Sequence, residues 1–152
     1  ESKFASLTVA AFFPDYYDDD ADSKLFRAVV GRYGAKWPTK ELAAVLAHEL
    51  VGHGMQHHRG KVKRLRTVDL ECEAYLYEEN AYQNLGFDKH SLRMTKFRKS
   101  LENKWCETFR AYMRRNMPRR MALWERLSPN VGRILDAYDG YIGHLGGNGV
   151  AK

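Results

Sequence analysis

His48-Glu49-Leu50-Val51-Gly52-His53-Gly54 is the stretch that decides how this chain is read. Two imidazoles bracketing a carboxylate are the donor set that metal-dependent hydrolases carry on a helix, usually with the histidines at i and i+4. Here the second histidine stands at i+5. On a regular helix of about 3.6 residues per turn that position lies roughly 140° from the first, and two ligands so far apart cannot grip one ion. Looping out one extra residue as a π-bulge restores a common face, and such bulges gather at functional sites. Gly52 stands where that distortion is needed and has the backbone freedom to accept it. A second register keeps a regular helix: Glu49, His53 and His57 follow one another at intervals of four. It leaves Gly54 where a catalytic base would stand, so it suits a structural or non-hydrolytic site.

Working outward, Trp37-Pro38-Thr39 opens the helix that carries the histidines, with Thr39 as its expected N-cap. That helix is expected to stop near Gly60, and a basic connector, Lys61 to Arg66, follows. A second helix is predicted from Thr67 to Asn84, ending at Gly86. It contains Leu70-Glu71-Cys72-Glu73-Ala74-Tyr75, and Glu71, Tyr75, Glu78 and Tyr82 share one of its faces. Glu71 lies eighteen residues beyond His53, ample for the chain to turn back. It is the expected third ligand, with Glu73 and Glu78 as rivals. Three protein ligands leave a fourth position for water and substrate. Glu49, directly after the first ligand, is the expected general base for a water that the metal acidifies. Tyr75, one turn from Glu71, is the candidate to stabilise a tetrahedral oxyanion. The donor set His48, His53 and Glu71 suits one Zn2+ per chain.

At this point the motifs carry a resemblance. His48-Glu49-Leu50-Val51-Gly52-His53 resembles the His-Glu-x-x-Gly-His motif of the dipeptidyl peptidase III family of zinc peptidases, and Glu71-Cys72-Glu73-Ala74 resembles the Glu-Cys-Arg-Ala core of its second motif. The resemblance implies His48, His53 and Glu71 as zinc ligands and Glu49 as the catalytic base. It covers about thirty of the 152 residues. The family has a further Glu where this chain has Leu70, an Arg in place of Glu73 and an acidic residue in place of Tyr75. Its motifs also stand much further apart, and its members are far larger. The resemblance therefore implies a small glutamate-ligand zinc peptidase, without the family's dipeptide-releasing specificity.

The rest of the chain reads as mainly helical. Leu7 to Phe13 is a predicted strand ended by Pro14, which could serve as an edge strand for an extended peptide or as a plain core strand. Asp15 to Ser23 is an acidic loop whose Asp18, Asp20 and Asp22 imitate the opening of a calcium site, but the required Gly and final Glu are missing. Lys24 to Arg32 is read as a short helix closed by glycines. From Ser91 a long amphipathic helix runs to a break at Pro118, with Met94, Phe97, Leu101, Trp105, Phe109 and Tyr112 forming its buried stripe. Helices at about 119–127 and 131–142 follow. The segment 143–152, with four glycines, is expected to be loose.

The chain carries a formal net charge of +6, unevenly placed. Between Arg93 and Arg120 ten basic residues face two acidic ones. That asymmetry supports an alternative reading, a nucleic-acid or protein-binding module with a structural or vestigial metal site. The aromatics of helix 93–120 lie on its apolar stripe rather than among its arginines, which argues against a single-strand stacking surface. Cys72 and Cys106 are read as two lone thiols, leaning towards a reducing, cytoplasmic compartment. Cys72 is expected to be packed rather than coordinating. No apolar run is long enough to span a membrane. The chain begins at Glu1 rather than Met, as a processed form or a piece of a longer protein would.

The expected fold is therefore mainly α: a zincin-like metal-site helix pair with a small N-terminal strand or hairpin, followed by a helical C-terminal half. Residues 1–142 are expected to form a single domain with a Gly-rich tail. The expected function is zinc-dependent hydrolysis of a peptide or protein substrate.

Overall fold

A computed structural model of the chain describes residues 8–13, 27–125 and 130–147. Its element order is β1 (Ala10–Phe13), β2 (Arg27–Val30), a 3-10 turn (Gly34–Lys36), α1 (Thr39–Leu46), a π-helical segment (Ala47–Gly54), α2 (Met55–His58), a second 3-10 turn (Lys61–Lys63), α3 (Thr67–Asn84), α4 (Leu92–Lys104), α5 (Glu107–Asn116), α6 (Pro118–Glu125) and α7 (Val131–Gly147). The protein is mainly helical, with one small antiparallel hairpin near its N-terminus, as expected.

Several boundaries depart from the sequence reading, each for a local reason. Arg27–Val30, read as helix, is a strand, and Ala10 to Phe13 pair with Val30 to Arg27. Its β-branched Val29 and Val30 favour a strand once a partner strand is available. Pro38, not Thr39, caps α1, and Thr39 is its first residue. The long helix from Ser91 is interrupted at Trp105 and Cys106, before Pro118 is reached. Pro118 opens α6, at the first-turn position where a missing N–H costs nothing. The last helix continues to Gly147, so the first part of the supposed tail is helical. The acidic loop with Asp18, Asp20 and Asp22 lies outside the described residues.

α3 is the centre of the fold, and nearly every side of it is covered. Cys72 and Leu76 face a core shared with Leu101 of α4, Phe109 of α5, Trp124 of α6 and Tyr138 of α7. Most of the predicted stripe of α4 and α5 packs here: Leu101 and Phe109 are buried, and Phe97, Trp105 and Tyr112 lie against the core. Near its other end, Tyr82 forms a smaller cluster with Ala44 and Met94.

The two cysteines are joined. A Cys72–Cys106 disulfide ties α3 to the start of α5 and corrects the reading of two lone thiols. Thirty-four residues separate the two in sequence, and only the return of the turn before α5 to α3 brings them together. A second tie is polar. Asp69, at the first turn of α3, is buried and accepts from Arg66 at 2.8 Å and from the Tyr141 hydroxyl at 2.8 Å, while Tyr138 donates to its main-chain carbonyl. These bonds dock α7 on the N-terminal end of α3, where a carboxylate also meets the positive end of the helix dipole.

Candidate metal centre

The π segment brings the motif into register. The sequence calls for one looped-out residue; the structure has eight consecutive residues, Ala47–Gly54, in the wider helix. With i→i+5 hydrogen bonds, His53 comes round one turn above His48. Their ring centroids are 4.9 Å apart, with the planes nearly perpendicular. Gly52 is needed, but not for backbone freedom, since among the described residues positive φ occurs only at Gly60 and Gly86. A Cβ on Gly52 would lie 2.7 Å from the Ala74 Cβ and 2.8 Å from its Cα. The glycine lets the π segment touch α3, and that contact places Glu71 beneath both histidines.

The predicted ligands converge. His48 Nε2 is 3.6 Å from Glu71 Oε2, and His53 Nε2 is 3.5 Å from Glu71 Oε1. One donor atom from each of the three residues lies within 4.8 Å of the others, close enough to hold a metal ion. His48 is buried, while His53 and Glu71 keep part of their surface open. Tetrahedral bonds of about 2.0–2.1 Å separate donors by about 3.3–3.4 Å, so donor atoms within 4.8 Å of one another need only draw inward to grip such an ion.

The rival ligands have other partners. Glu78 Oε2 stands 3.3 Å from His48 Nδ1, on the ring's far side, too poorly aligned for a well-formed hydrogen bond. Glu73 accepts from Gln56 Nε2 at 3.0 Å and pairs with Lys61. The His57 ring lies against Phe12, 5.3 Å between centroids, and among the described residues the group close enough to hold an ion is His48, His53 and Glu71, without His57. Cys72 is packed, as expected, and disulfide-bonded.

Glu49 is half-buried on the same π segment. Burial pushes its carboxyl above the usual range, partly offset by His48 and His53 and by a hydrogen bond from the Phe12 main chain. That bond has a topological cause. Gly31 N–H donates to Val9 O at 3.0 Å, so by alternation Val9, Ala11 and Phe13 turn their main-chain groups towards β2. Phe12 turns its own the other way, towards the π segment. β1 therefore borders the site.

Tyr75 stands where the sequence puts it. Its ring is 4.4 Å from His48 and stacks on Trp105 at 5.8 Å. Burial, then the charges of Glu71, Glu78 and Glu49, hold its phenol above the ordinary value, against a hydrogen bond from Trp105. Sequence reasoning missed Gln56, Lys61 and Trp105 at this site. Only Gln56 left a signal, lying one turn beyond His53 on the same helix.

Four of the ten basic residues between Arg93 and Arg120 are ion-paired. Arg93 pairs with Glu41, Arg98 with Glu79, Arg110 with Glu102 and Arg114 with Glu125. Among the described residues no helix is long and apolar enough to cross a membrane. Comparison with known protein families, curated proteins and solved structures finds no match to this chain.

Proposed function

We propose that this protein is a zinc-dependent peptidase in which His48, His53 and Glu71 hold one ion and Glu49 is the general base. The observation that carries the reading is the convergence of two imidazole Nε2 atoms on the Glu71 carboxylate, with Glu49 on the same π segment. Two nitrogen donors and one oxygen donor suit zinc and leave a position for reactants. When bound there, the ion supplies Lewis-acid polarisation of a carbonyl and acidifies a water. The remaining work falls to the chain. Glu49, raised by burial, takes the proton of the attacking water on its carboxylate and returns it to the departing amine. Tyr75 keeps its proton and offers it to the oxygen that becomes negative, with Trp105 holding the ring.

The motif resemblance to dipeptidyl peptidase III supports the same roles for the same residues. On this reading the hairpin, π segment and α3 form a zincin-like unit. The Cys72–Cys106 disulfide favours an oxidising compartment over the cytoplasm suggested by lone thiols.

The test is Glu49→Gln. Turnover of a peptide substrate should fall by about 10²–10⁴-fold, while metal analysis still finds one zinc per chain. A variant that cleaves as fast as the parent would sink the assignment.

A further inference from the structure

Three polar side chains are buried behind His53 that the proposed chemistry does not use: Gln56, Glu73 and Lys61. Apolar side chains of similar size pack as well, and a buried ion pair is often no better than such a replacement. Their hydrogen bonds give the trio a different purpose.

The Gln56 amide has only one tenable orientation. Its nitrogen lies 2.8 Å from Leu70 O and 3.0 Å from Glu73 Oε2. A main-chain carbonyl only accepts, and Glu73 offers an accepting oxygen here while its other oxygen is paired with Lys61. Turning the amide over sets its oxygen against both. The NH₂ group therefore faces α3, and Oε1 faces His53 Nδ1 at 3.0 Å. Nδ1 must then carry the proton. In the neutral imidazole Nε2 then keeps its lone pair, on the side where Glu71 Oε1 stands 3.5 Å away.

We propose that Gln56, oriented by Glu73 and Lys61, is the positioning residue that fixes the tautomer and ring angle of His53 for metal binding. The assignment rests on the metal-centre reading and adds how one ligand is held. Outer partners of ligating histidines act in this way elsewhere, most often as carboxylates or carbonyls. Here the two histidines differ. His48 has a carboxylate, Glu78, at its far nitrogen; His53 has a neutral amide, with the charge displaced one residue back and neutralised by Lys61. The amide thus orients His53 without adding a second negative charge directly behind the triad.

Two variants test this. Gln56→Leu removes the acceptor at similar volume. Glu73→Gln combined with Lys61→Met keeps the packing and removes the charges that hold the amide's orientation. Long-range proton–nitrogen NMR correlations on the metal-free protein, at mildly alkaline pH where imidazoles are neutral, read the His53 tautomer. The parent should show the proton on Nδ1, Gln56→Leu should show a mixture, and the double variant, in which Leu70 O still accepts from the amide, should show a smaller shift towards Nε2. Zinc affinity, measured by competition with a chromophoric chelator, should fall by about 10–100-fold in Gln56→Leu. A parent proton on Nε2, or parent-like tautomer and affinity in both variants, overturns the assignment. A parent that takes up no zinc removes the metal-centre reading instead, and the tautomer measurement still decides the role of Gln56.

Discussion

On the side of α3 that meets the π segment, the contact is between a glycine and an alanine, and what surrounds it is polar: His48, His53, Glu71, Glu73, Gln56 and Lys61. On the side that meets α5, α6 and α7, the contact is apolar and aromatic, closed by a disulfide. Burial of large side chains stabilises the second side and tolerates modest shifts. The first side contributes little apolar area, and its value depends on distances held to within a few tenths of an ångström. One helix therefore carries the site on one face and is anchored by the core on the other. The difference implies that damage to each side should be read by a different measurement.

The largest separation comes from Glu71→Ala. Zinc content should fall from one per chain to none, while the melting of the metal-free protein changes by no more than about 1 kcal/mol. A large loss of metal-free stability would mean that Glu71 serves the core as well. The converse is Cys72→Ser with Cys106→Ser. Removing a crosslink that spans 34 residues should cost about 4 kcal/mol on chain-entropy grounds. That is about 8–16 °C in Tm for a chain of this size, with zinc still bound at low temperature. If zinc is lost before stability, the core and the site are not separable in this way.

Gly52→Ala attacks the seam itself. The added methyl meets the Ala74 backbone at 2.8 Å, so the π segment and α3 must move apart. The expected cost is about 1–3 kcal/mol, accompanied by zinc affinity weakened on the order of tenfold. Calorimetry and chelator competition on the same sample would show whether the site loses more than the fold.

The smallest effect is on pH dependence. Burial, reinforced by Glu78 and opposed by Arg93, pushes the Tyr82 phenol from 10.0 up to about 12. The unfolded chain releases this proton first, so the stability from Tyr82 is complete below pH 10 and is lost as pH rises towards about 12. Alkaline melts of Tyr82→Phe should therefore decline less steeply than those of the parent; equal slopes would remove Tyr82 as a contributor.

Much of the site was legible because its chemistry is local. His48 and His53, at i and i+5, can share one ion only if the helix widens, and it widens. Thr67–Asn84 lies where it was expected because no Gly or Pro interrupts the chain before Gly86. What failed was pairing at a distance. Arg27–Val30 became a strand because β1 was there to receive it. Cys72 and Cys106 became a disulfide because α4 and the turn after it return to α3. Gly52 was read for its backbone freedom, yet its role is close approach to Ala74, a residue on another helix.

By itself the sequence determined the donor types, their order, the helix that bears each and the need for a wider turn between the histidines. Those properties follow from side-chain chemistry and helical period, which act over a few residues. Only the tertiary structure decided which carboxylate meets both imidazoles, that Gln56 stands behind His53, and that the cysteines join. These depend on how closely two helices approach, and that distance is set by packing between residues far apart in the chain.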